Sequence, residues 1–221
     1  MDDASPGPTS EPTAISEAAE HAWEAAAPVL YPIVRPAGSA GLRLGSLDSP
    51  RDAAGNVEPL VDEGPGGLVV AYVLAIGGYD VLANGDHLAA WGVPAATLRE
   101  TALRNLAAWS ATAPWSEEAE GGRRILSSDT GDGWDASRIL LPETTAHLER
   151  SLGGPGGRVL VGIPSQHLLI AGALRDDDPA FGPLFADFVL EYAGDSDDAI
   201  DRRVFELREG RLAPFNPSHP A

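Results

Sequence analysis

The longest apolar stretch of this chain covers residues 68–76 and is bounded by glycines on both sides. A run of this length is typical of a strand that is buried on both faces. Gly77 and Gly78 then predict a turn, and residues 79–83 predict the partner strand. Other apolar runs of strand length predict a single strand at residues 29–34 and three pairs of strands. The pairs are 125–127 and 137–141, 158–163 and 167–173, and 203–207 and 212–215.

Segments with apolar residues every three or four positions predict helices between these strands. Ser16 is placed as the N-cap of the first helix, Pro28 ends it, and Pro94 suits the first turn of the longest. The predicted helices cover residues 17–27, a short segment capped by Asn84 or Asp86 that ends at Trp91, and then 94–110, 143–152 and 181–193. The last helix carries an aromatic face made of Phe181, Phe185, Phe188 and Tyr192.

Strands that come in pairs between helices indicate an α+β fold, with a mainly antiparallel mixed sheet and helices packed on one side. We assign residues 15–215 to a single domain, with a disordered acidic, Pro-rich tail over 1–14 and a flexible end over 216–221. Residues 37–66 are rich in Gly, Pro, Asp and Ser and predict an irregular segment. Because a structureless loop of that length is uncommon in a compact domain, we expect at least one short hairpin there, from Leu42, Leu44 and Leu47 with residues 57–61.

The side-chain inventory excludes several kinds of chemistry. The 221 residues include no cysteine, and all 15 basic residues are arginine. Thiol nucleophiles, disulfides, zinc–thiolate sites and iron–sulfur clusters are therefore excluded. A Walker phosphate loop and a pyridoxal-phosphate Schiff base each need a lysine, so those cofactor classes are excluded as well. No cofactor is expected.

The net charge of -18 limits the partners of this chain. Nucleic-acid binding is not expected, because neutralising phosphates requires a basic stripe. Anionic membranes are disfavoured by the same repulsion, and no apolar run approaches the roughly 20 residues of a membrane span. The charge suits solubility or a basic protein partner. The acidic start, Met1-Asp2-Asp3, lacks the features of a signal peptide, so we expect a cytoplasmic location.

The turn from Asp129 to Asp135 is the strongest candidate for a site. Asp129, Asp132 and Asp135 could bind a hard cation such as Ca²⁺ or Mg²⁺ through oxygen. However, their spacing differs from that of an EF-hand loop, and Asp and Gly are also typical of any sharp turn between strands. The pattern therefore favours a turn, with a metal-assisted hydrolase or ligand-sensing site as the alternative.

Other residues near this turn are candidates for ligand or partner binding. Asp132, Trp134, Asp135 and Arg138 form one group, in which Asp135 and Arg138 are expected to pair. Ser165 and His167 form a second group, in which His167 could activate Ser165. Neighbouring residues on a strand point to opposite faces, so a polar cluster in a β-turn is the favoured interpretation of that pair.

Four blocks follow one another between residues 67 and 215. They are 68–93, which ends in Leu88-x-x-Trp91-Gly92-Val93, then 98–106, 133–142 and 158–165. Together these blocks resemble the YtpQ-like family of bacterial proteins, a domain of unknown function. The resemblance implies a cytosolic bacterial domain without implying an activity. Gln166 and His167 depart from the charged Arg-Asp pair that the family pattern would place there, which puts a carboxylate role at this position in doubt.

The residues that could do chemistry are scattered along the chain, and we assign no catalytic residue. The sequence predicts a non-enzymatic protein-binding or regulatory module, with the metal-assisted hydrolase or ligand-sensing domain as the alternative. It leaves the oligomeric state open.

Overall fold

The structure of the chain, a computed structural model, describes residues 19–76, 79–154 and 157–216. The predicted tail over 1–14, the Gly77-Gly78 turn and most of the predicted C-terminal segment lie outside the described residues. Within them the α+β class with mainly antiparallel strands is confirmed. The strands form two sheets, where the sequence predicted one.

The first sheet is built around one long central strand, β4. Its strands are β1 (Leu30–Arg35), β2 (Leu42–Arg43), β3 (Leu60–Glu63), β4 (Val69–Ile76) and β5 (Tyr79–Leu82). The order is β1-β4-β3-β2, and β5 also pairs with the end of β4. All of these pairs are antiparallel except β2 with β3.

The second sheet is antiparallel throughout and holds six strands in the order β11-β10-β8-β9-β7-β6. They are β6 (Ser116–Glu120), β7 (Arg123–Ser128), β8 (Arg158–Ser165), β9 (Leu168–Leu174), β10 (Val204–Arg208) and β11 (Arg211–Pro214). The central pair β8 and β9 was predicted as adjacent strands, and the closing hairpin of β10 and β11 was predicted as well.

Four α-helices of the described chain lie close to the predicted positions, whereas the helix predicted over 17–27 is shorter, and its predicted N-cap Ser16 lies outside the described residues. The α-helices are α1 (Trp23–Ala26), α2 (Gly85–Trp91), α3 (Ala95–Ser110), α4 (Pro142–Leu152) and α5 (Phe181–Asp195). Asn84 caps α2 by accepting a hydrogen bond from the His87 amide, as its residue type predicts. Short 3-10 helices cover 27–29, 44–46, 50–53, 65–67 and 136–140.

Alternation along the strands explains how each sheet is buried. In β4, Tyr72 and Leu74 face α2 and the first half of α3, whereas Ala71 and Val73 face Leu106 and Trp134. In the second sheet, one face packs on α5 through Phe185 and Val189, and the other packs on α4 through Leu148 and Leu152. Helices therefore cover both faces of the second sheet, where the sequence predicted helices on one side.

Two predicted elements differ from the structure. Residues 42–43 and 60–61 do pair, but in parallel, so the hairpin predicted inside 37–66 is wrong. The strand predicted at 137–141 is a 3-10 helix over Ala136–Leu140. A short run such as Ile139-Leu140-Leu141 shows no periodicity that separates a buried strand from a helical turn.

The sequence pattern does not predict strand β6, because Ser-Glu-Glu-Ala-Glu is polar and is exposed along its whole length. It is an edge strand, where charged residues are common because they block pairing with other chains. Among the described residues, no helix is both long and apolar enough to span a membrane. The cytoplasmic location stays a prediction.

Candidate functional site

Arg138 lies at the joint between the two sheets, on the 3-10 helix Ala136–Leu140, and is 2% exposed. Its Nε donates to Ser110 Oγ (3.0 Å), and its Nη1 donates to Ser128 Oγ (2.8 Å) and the Pro114 carbonyl (3.1 Å). Its guanidinium carbon lies 4.0 Å from the ring centroid of Trp115. Burial lowers the pKa of Arg138, and the charge of Asp135 opposes that shift. The side chain thus ties the loop after α3 to β7.

Asp135 is fully buried and accepts hydrogen bonds on both carboxylate oxygens. Its Oδ1 accepts from Ser128 Oγ (2.5 Å) and the Thr130 amide (3.1 Å), and its Oδ2 accepts from Thr130 Oγ1 (2.9 Å). Ser128 also accepts from Arg138, so its hydroxyl bridges the two charged groups that were expected to pair directly. These bonds close the 129–135 turn from inside.

Trp134 and Asp132 also make contacts at this junction between the two sheets. The Trp134 ring stacks on Tyr31 with centroids 4.5 Å apart. Asp132 is exposed and accepts a hydrogen bond from Trp109 Nε1 at 3.0 Å. The neighbouring Ser137 hydroxyl accepts from the Val34 amide of β1 at 3.2 Å. The four candidates Asp132, Trp134, Asp135 and Arg138 are therefore brought together, in a packed joint whose polar atoms bond to other parts of the chain.

The turn does not form a cation site from its three aspartates. Asp135 turns inward to internal donors, while Asp132 holds Trp109. Among the described residues, no group of three or more His, Asp or Glu side chains is arranged to hold a metal ion. The geometry therefore does not favour the metal-assisted alternative.

Ser165, His167 and Asp198 meet at one end of the second sheet without forming a catalytic triad. His167 Nε2 lies 3.7 Å from Asp198 Oδ2, and both side chains are well exposed. Ser165 Oγ is buried and has no hydrogen-bond partner in the described part of the chain. A nucleophile must share a hydrogen bond with its base, so this arrangement lacks the first requirement of nucleophilic catalysis.

The outer face of α5 is a site that the sequence reading missed. Phe181 and Phe185 are buried against the sheet, but Leu184 and Phe188 are 51% and 43% exposed. Phe188 and Tyr192 pack on each other with ring centroids 5.9 Å apart. They line an open depression of about 620 Å³ together with Glu191, Asp195 and Ser196.

The α5 face could have been found from spacing. Leu184, Phe188 and Tyr192 recur every four residues, and so do Asp187, Glu191 and Asp195 beside them. Residues four apart lie on the same side of a helix. The aromatic positions predicted as one face are in fact two, since Phe181 and Phe185 point inward and Phe188 points outward.

A second missed feature is a groove between the first sheet and α3. Asp62 of β3 accepts from Arg99 Nε (2.6 Å) and Nη2 (2.8 Å) and from the Tyr72 hydroxyl (2.7 Å). Burial alone would raise the pKa of Asp62, but Arg99 and Tyr72 outweigh it and lower the pKa. Burial and the hydrogen bond to Asp62 raise the pKa of Tyr72, which keeps its hydroxyl protonated. These groups close one end of a groove of about 490 Å³.

Comparison with known proteins identifies a distant relative. The UPF0354 protein of Listeria monocytogenes serotype 4a (strain HCC23) is 27% identical over 118 residues. The matched part is 53% of this chain and 42% of the relative, so the chain spans less than half the length of that protein. No protein-family profile and no solved structure matches the chain. The chain is thus similar, over about half its length, to a bacterial protein whose name denotes an uncharacterised family.

Proposed function

We propose that this chain is a non-enzymatic protein-binding module and that the outer face of α5 is its docking surface. The observation that carries the proposal is exposed apolar area. Three of the five large apolar side chains that are exposed among the described residues lie on this helix. Leu184 and Phe188 are one turn apart on the same face, whereas Leu190 lies on another flank, about 120° around the helix axis from Leu184. Apolar side chains clustered on a surface and bordered by polar residues mark interaction sites.

The charge of the α5 face indicates the chemistry of the partner. Asp187, Glu191 and Asp195 run beside the apolar side chains, and Asp197 and Asp198 follow at the end of the helix. A partner with arginine or lysine beside apolar anchors would complement both features, and the net charge of -18 would speed its approach.

A basic amphipathic helix is the occupant to which we commit. Apolar anchors every four residues on α5 match the ridges of a second helix packed along it. A second copy of this chain fits less well, because the acidic side chains of one α5 would face those of the other. Nucleic acids and anionic membranes are repelled by the same charges.

Peptide binding tests the proposal. The probe is a synthetic amphipathic helix with leucine every four residues and lysine beside them, followed by fluorescence anisotropy. We expect micromolar binding that weakens at least tenfold in Leu184→Glu, in Phe188→Glu and in the double variant Asp187→Arg with Glu191→Arg. Raising the salt concentration should also weaken peptide binding by the wild-type protein, because salt screens the attraction between the charges.

Matched controls separate docking on α5 from general attraction to an acidic protein. Val57→Glu changes an exposed apolar residue in the loop before β3, and Glu118→Arg with Glu120→Arg removes equal charge from the exposed edge strand β6. Both should bind the peptide within about twofold of wild type. Equal losses in the α5 variants and the controls, or no binding by wild type, would contradict the proposal.

The YtpQ-like assignment is finer than the distant relationship to the UPF0354 protein, and we propose it on the four blocks in their order along the chain. A profile built from further relatives should place residues 133–142 in register with the corresponding family block. A profile that aligns this chain only outside those blocks would refute the assignment.

A further inference from the structure

The molecule repeatedly places an arginine next to both an aromatic ring and a carboxylate. Among the described residues the three instances are Arg123 with Phe181 and Asp178, Arg158 with Phe215 and Glu206, and Arg203 with Phe205 and Asp201. In each, the guanidinium carbon lies between 5.1 and 5.8 Å from the ring centroid, and a guanidinium nitrogen lies 2.6 Å from a carboxylate oxygen. Arginine suits such surroundings, because its planar group packs on a ring while its N–H groups donate to a carboxylate.

The depression at the C-terminal end of α5 offers rings and carboxylates without an arginine. Phe188, Glu191, Tyr192 and Asp195 line it, and because they are spaced three and four residues apart, they lie on one side of the helix. No arginine of the described chain lines the depression. Within the same described part, no hydrogen bond or ion pair engages the carboxylate of Glu191 or Asp195. Both acceptors are therefore available to another molecule.

The charge near α5 is concentrated at this end of the helix. Glu191 and Asp195 lie in its last two turns, where the negative end of the helix dipole adds to their charge. Just before the helix begins, Asp177 and Asp178 are also acidic, but both are paired with arginines of this chain. A cationic side chain on the partner is therefore attracted most strongly to the C-terminal end of α5.

We propose that this depression binds an arginine side chain of the partner, an inference that rests on the proposed docking function of α5. The guanidinium packs on the ring of Phe188 or Tyr192 and donates to Glu191 and Asp195. A lysine ammonium carries the same charge, but it is compact and strongly hydrated and lacks the planar fork that meets a ring and a carboxylate together. The site therefore distinguishes arginine from lysine at equal charge.

Three peptides of the same pattern test this selectivity. The amphipathic helix with lysine beside its leucines is compared with the same peptide carrying arginine, and with one carrying citrulline, which has the shape of arginine without its charge. In fluorescence anisotropy, we expect wild-type protein to bind the arginine peptide about fivefold more tightly than the lysine peptide. The citrulline peptide should bind at least about tenfold more weakly than the arginine peptide. General attraction to an acidic protein does not separate the first two peptides.

The ratio of the two affinities locates the arginine on α5. Tyr192→Leu removes a ring and Asp195→Asn removes a charge, and each should reduce the preference for arginine to about twofold or less. Their matched controls, Leu184→Ala and Asp187→Asn, change residues of α5 that do not line the depression. Both controls should weaken the two peptides alike and keep the ratio of wild type. Circular dichroism checks that all four variants keep the fold.

A small probe separates the arginine site from the docking of a helix. Nα-acetyl-arginine amide, titrated to concentrations on the order of 10 mM, should shift the NMR amide signals of residues 188, 191, 192 and 195 more than Nα-acetyl-lysine amide does. If neither charged peptide binds, this probe decides: such shifts would support the arginine site while helix docking fails, and no shifts would overturn both.

Two results would overturn the arginine site alone. One is equal binding of the arginine and lysine peptides by wild-type protein, and the other is a preference for arginine that persists in both Tyr192→Leu and Asp195→Asn. In either case the peptides still bind, so helix docking on α5 would stand without an arginine site in the depression.

Discussion

Single buried charges in this molecule are satisfied by groups that belong to different elements. Arg138 connects the loop after α3 with Ser128 of β7, and Asp135 reaches the same serine from the 129–135 turn. Removing one member of such a buried network leaves the others without partners, which costs far more than the network contributes in net terms. Residues of this kind hold elements together whether or not a ligand binds nearby.

Arg138→Met tests this structural role. The variant leaves the carbonyl groups of Ser110, Ala113 and Pro114 without their donor, so the free energy of unfolding should fall by about 3–5 kcal/mol. Urea denaturation measures it. Arg104→Met, on an exposed position of α3, should change it by less than about 0.5 kcal/mol. Similar losses in both variants would refute the structural role of Arg138.

Glu206 is a second buried charge, and its role depends on pH. Hydrogen bonds from Arg158, at 2.9 and 2.6 Å, lower the pKa of Glu206 from 4.5 to about 2 against the opposing effect of burial, with help from Arg208. The unfolded chain therefore takes up this proton at a higher pH than the folded chain. The stabilisation is present above about pH 4.5 and is lost as the pH falls toward 2.

Glu206→Gln should therefore lower the free energy of unfolding at pH 7 by about 1–2 kcal/mol. The full pKa shift corresponds to about 3 kcal/mol, and solvent around both arginines reduces it. Denaturation between pH 7 and pH 2.5 should show this deficit shrinking below pH 4.5. Glu117→Gln, in an exposed pair with Arg124, should lose less than about 0.5 kcal/mol at any pH. A deficit that persists unchanged at pH 2.5 would argue against the ion pair.

At the scale of elements, α5 approaches the second sheet closely because two strands present glycine to it. A Cβ atom at Gly162 of β8 would collide with Val189, and one at Gly172 of β9 would lie 2.5 Å from the Phe181 ring. In contrast, a Cβ atom at Gly194, near the end of α5, would meet nothing within 4 Å. The two kinds of glycine thus differ in what a methyl group would do.

Gly162→Ala should lower the free energy of unfolding by about 1–3 kcal/mol, because the added methyl overpacks the contact with Val189. Gly194→Ala should raise it by about 0.5–1 kcal/mol, because alanine favours the helix and has open space. Thermal and urea denaturation of both variants measure the two changes in the free energy of unfolding. The same sign of change in both would contradict the close packing of α5 on β8.

The elements that could be predicted from sequence are those with a long or bounded pattern. Strand β4 stands out because every residue from Val69 to Leu74 is buried. Helix α2 is marked by its cap at Asn84. In contrast, β6 consists of exposed glutamates, and its only structural signal is backbone pairing with β7. The residues of β6 alone therefore do not indicate that the segment pairs with β7.

The candidate residues were predicted better than their chemistry. Asp132, Trp134, Asp135 and Arg138 do come together, because buried Trp, Asp and Arg in a short stretch need partners. Whether those partners are ligands or other parts of the chain depends on Ser110 and Pro114, which lie more than 20 residues before Arg138, and on the orientation of the nearby Ser128 hydroxyl. Phe188 was predicted correctly as helical but not as exposed, since the aromatic run spreads over more than one side of α5.

At the scale of the whole molecule, the two sheets pack against each other in a common core. The chain that forms them carries a large net negative charge. Val34 of β1 and Leu68, which directly precedes β4, pack in the same cluster as Ile139 and as Leu148 of α4, which covers the second sheet. Both sheets thus contribute to a continuous core. The charge of -18 is spread over this structure and repels itself, which destabilises a compact state.

Salt should therefore stabilise the protein at neutral pH. Raising sodium chloride from about 20 to about 300 mM shortens the screening length several-fold, from roughly 20 Å to roughly 6 Å. Repulsion among distant carboxylates weakens more than the close pairs Arg99–Asp62 and Arg158–Glu206, which are partly shielded from solvent. We expect Tm at pH 7.5 to rise by about 2–4 °C, which corresponds to roughly 1 kcal/mol for a chain of this size. Near pH 4.4, where the net charge vanishes, the rise should disappear. A Tm that falls with salt at pH 7.5 would mean that the ion pairs outweigh the repulsion.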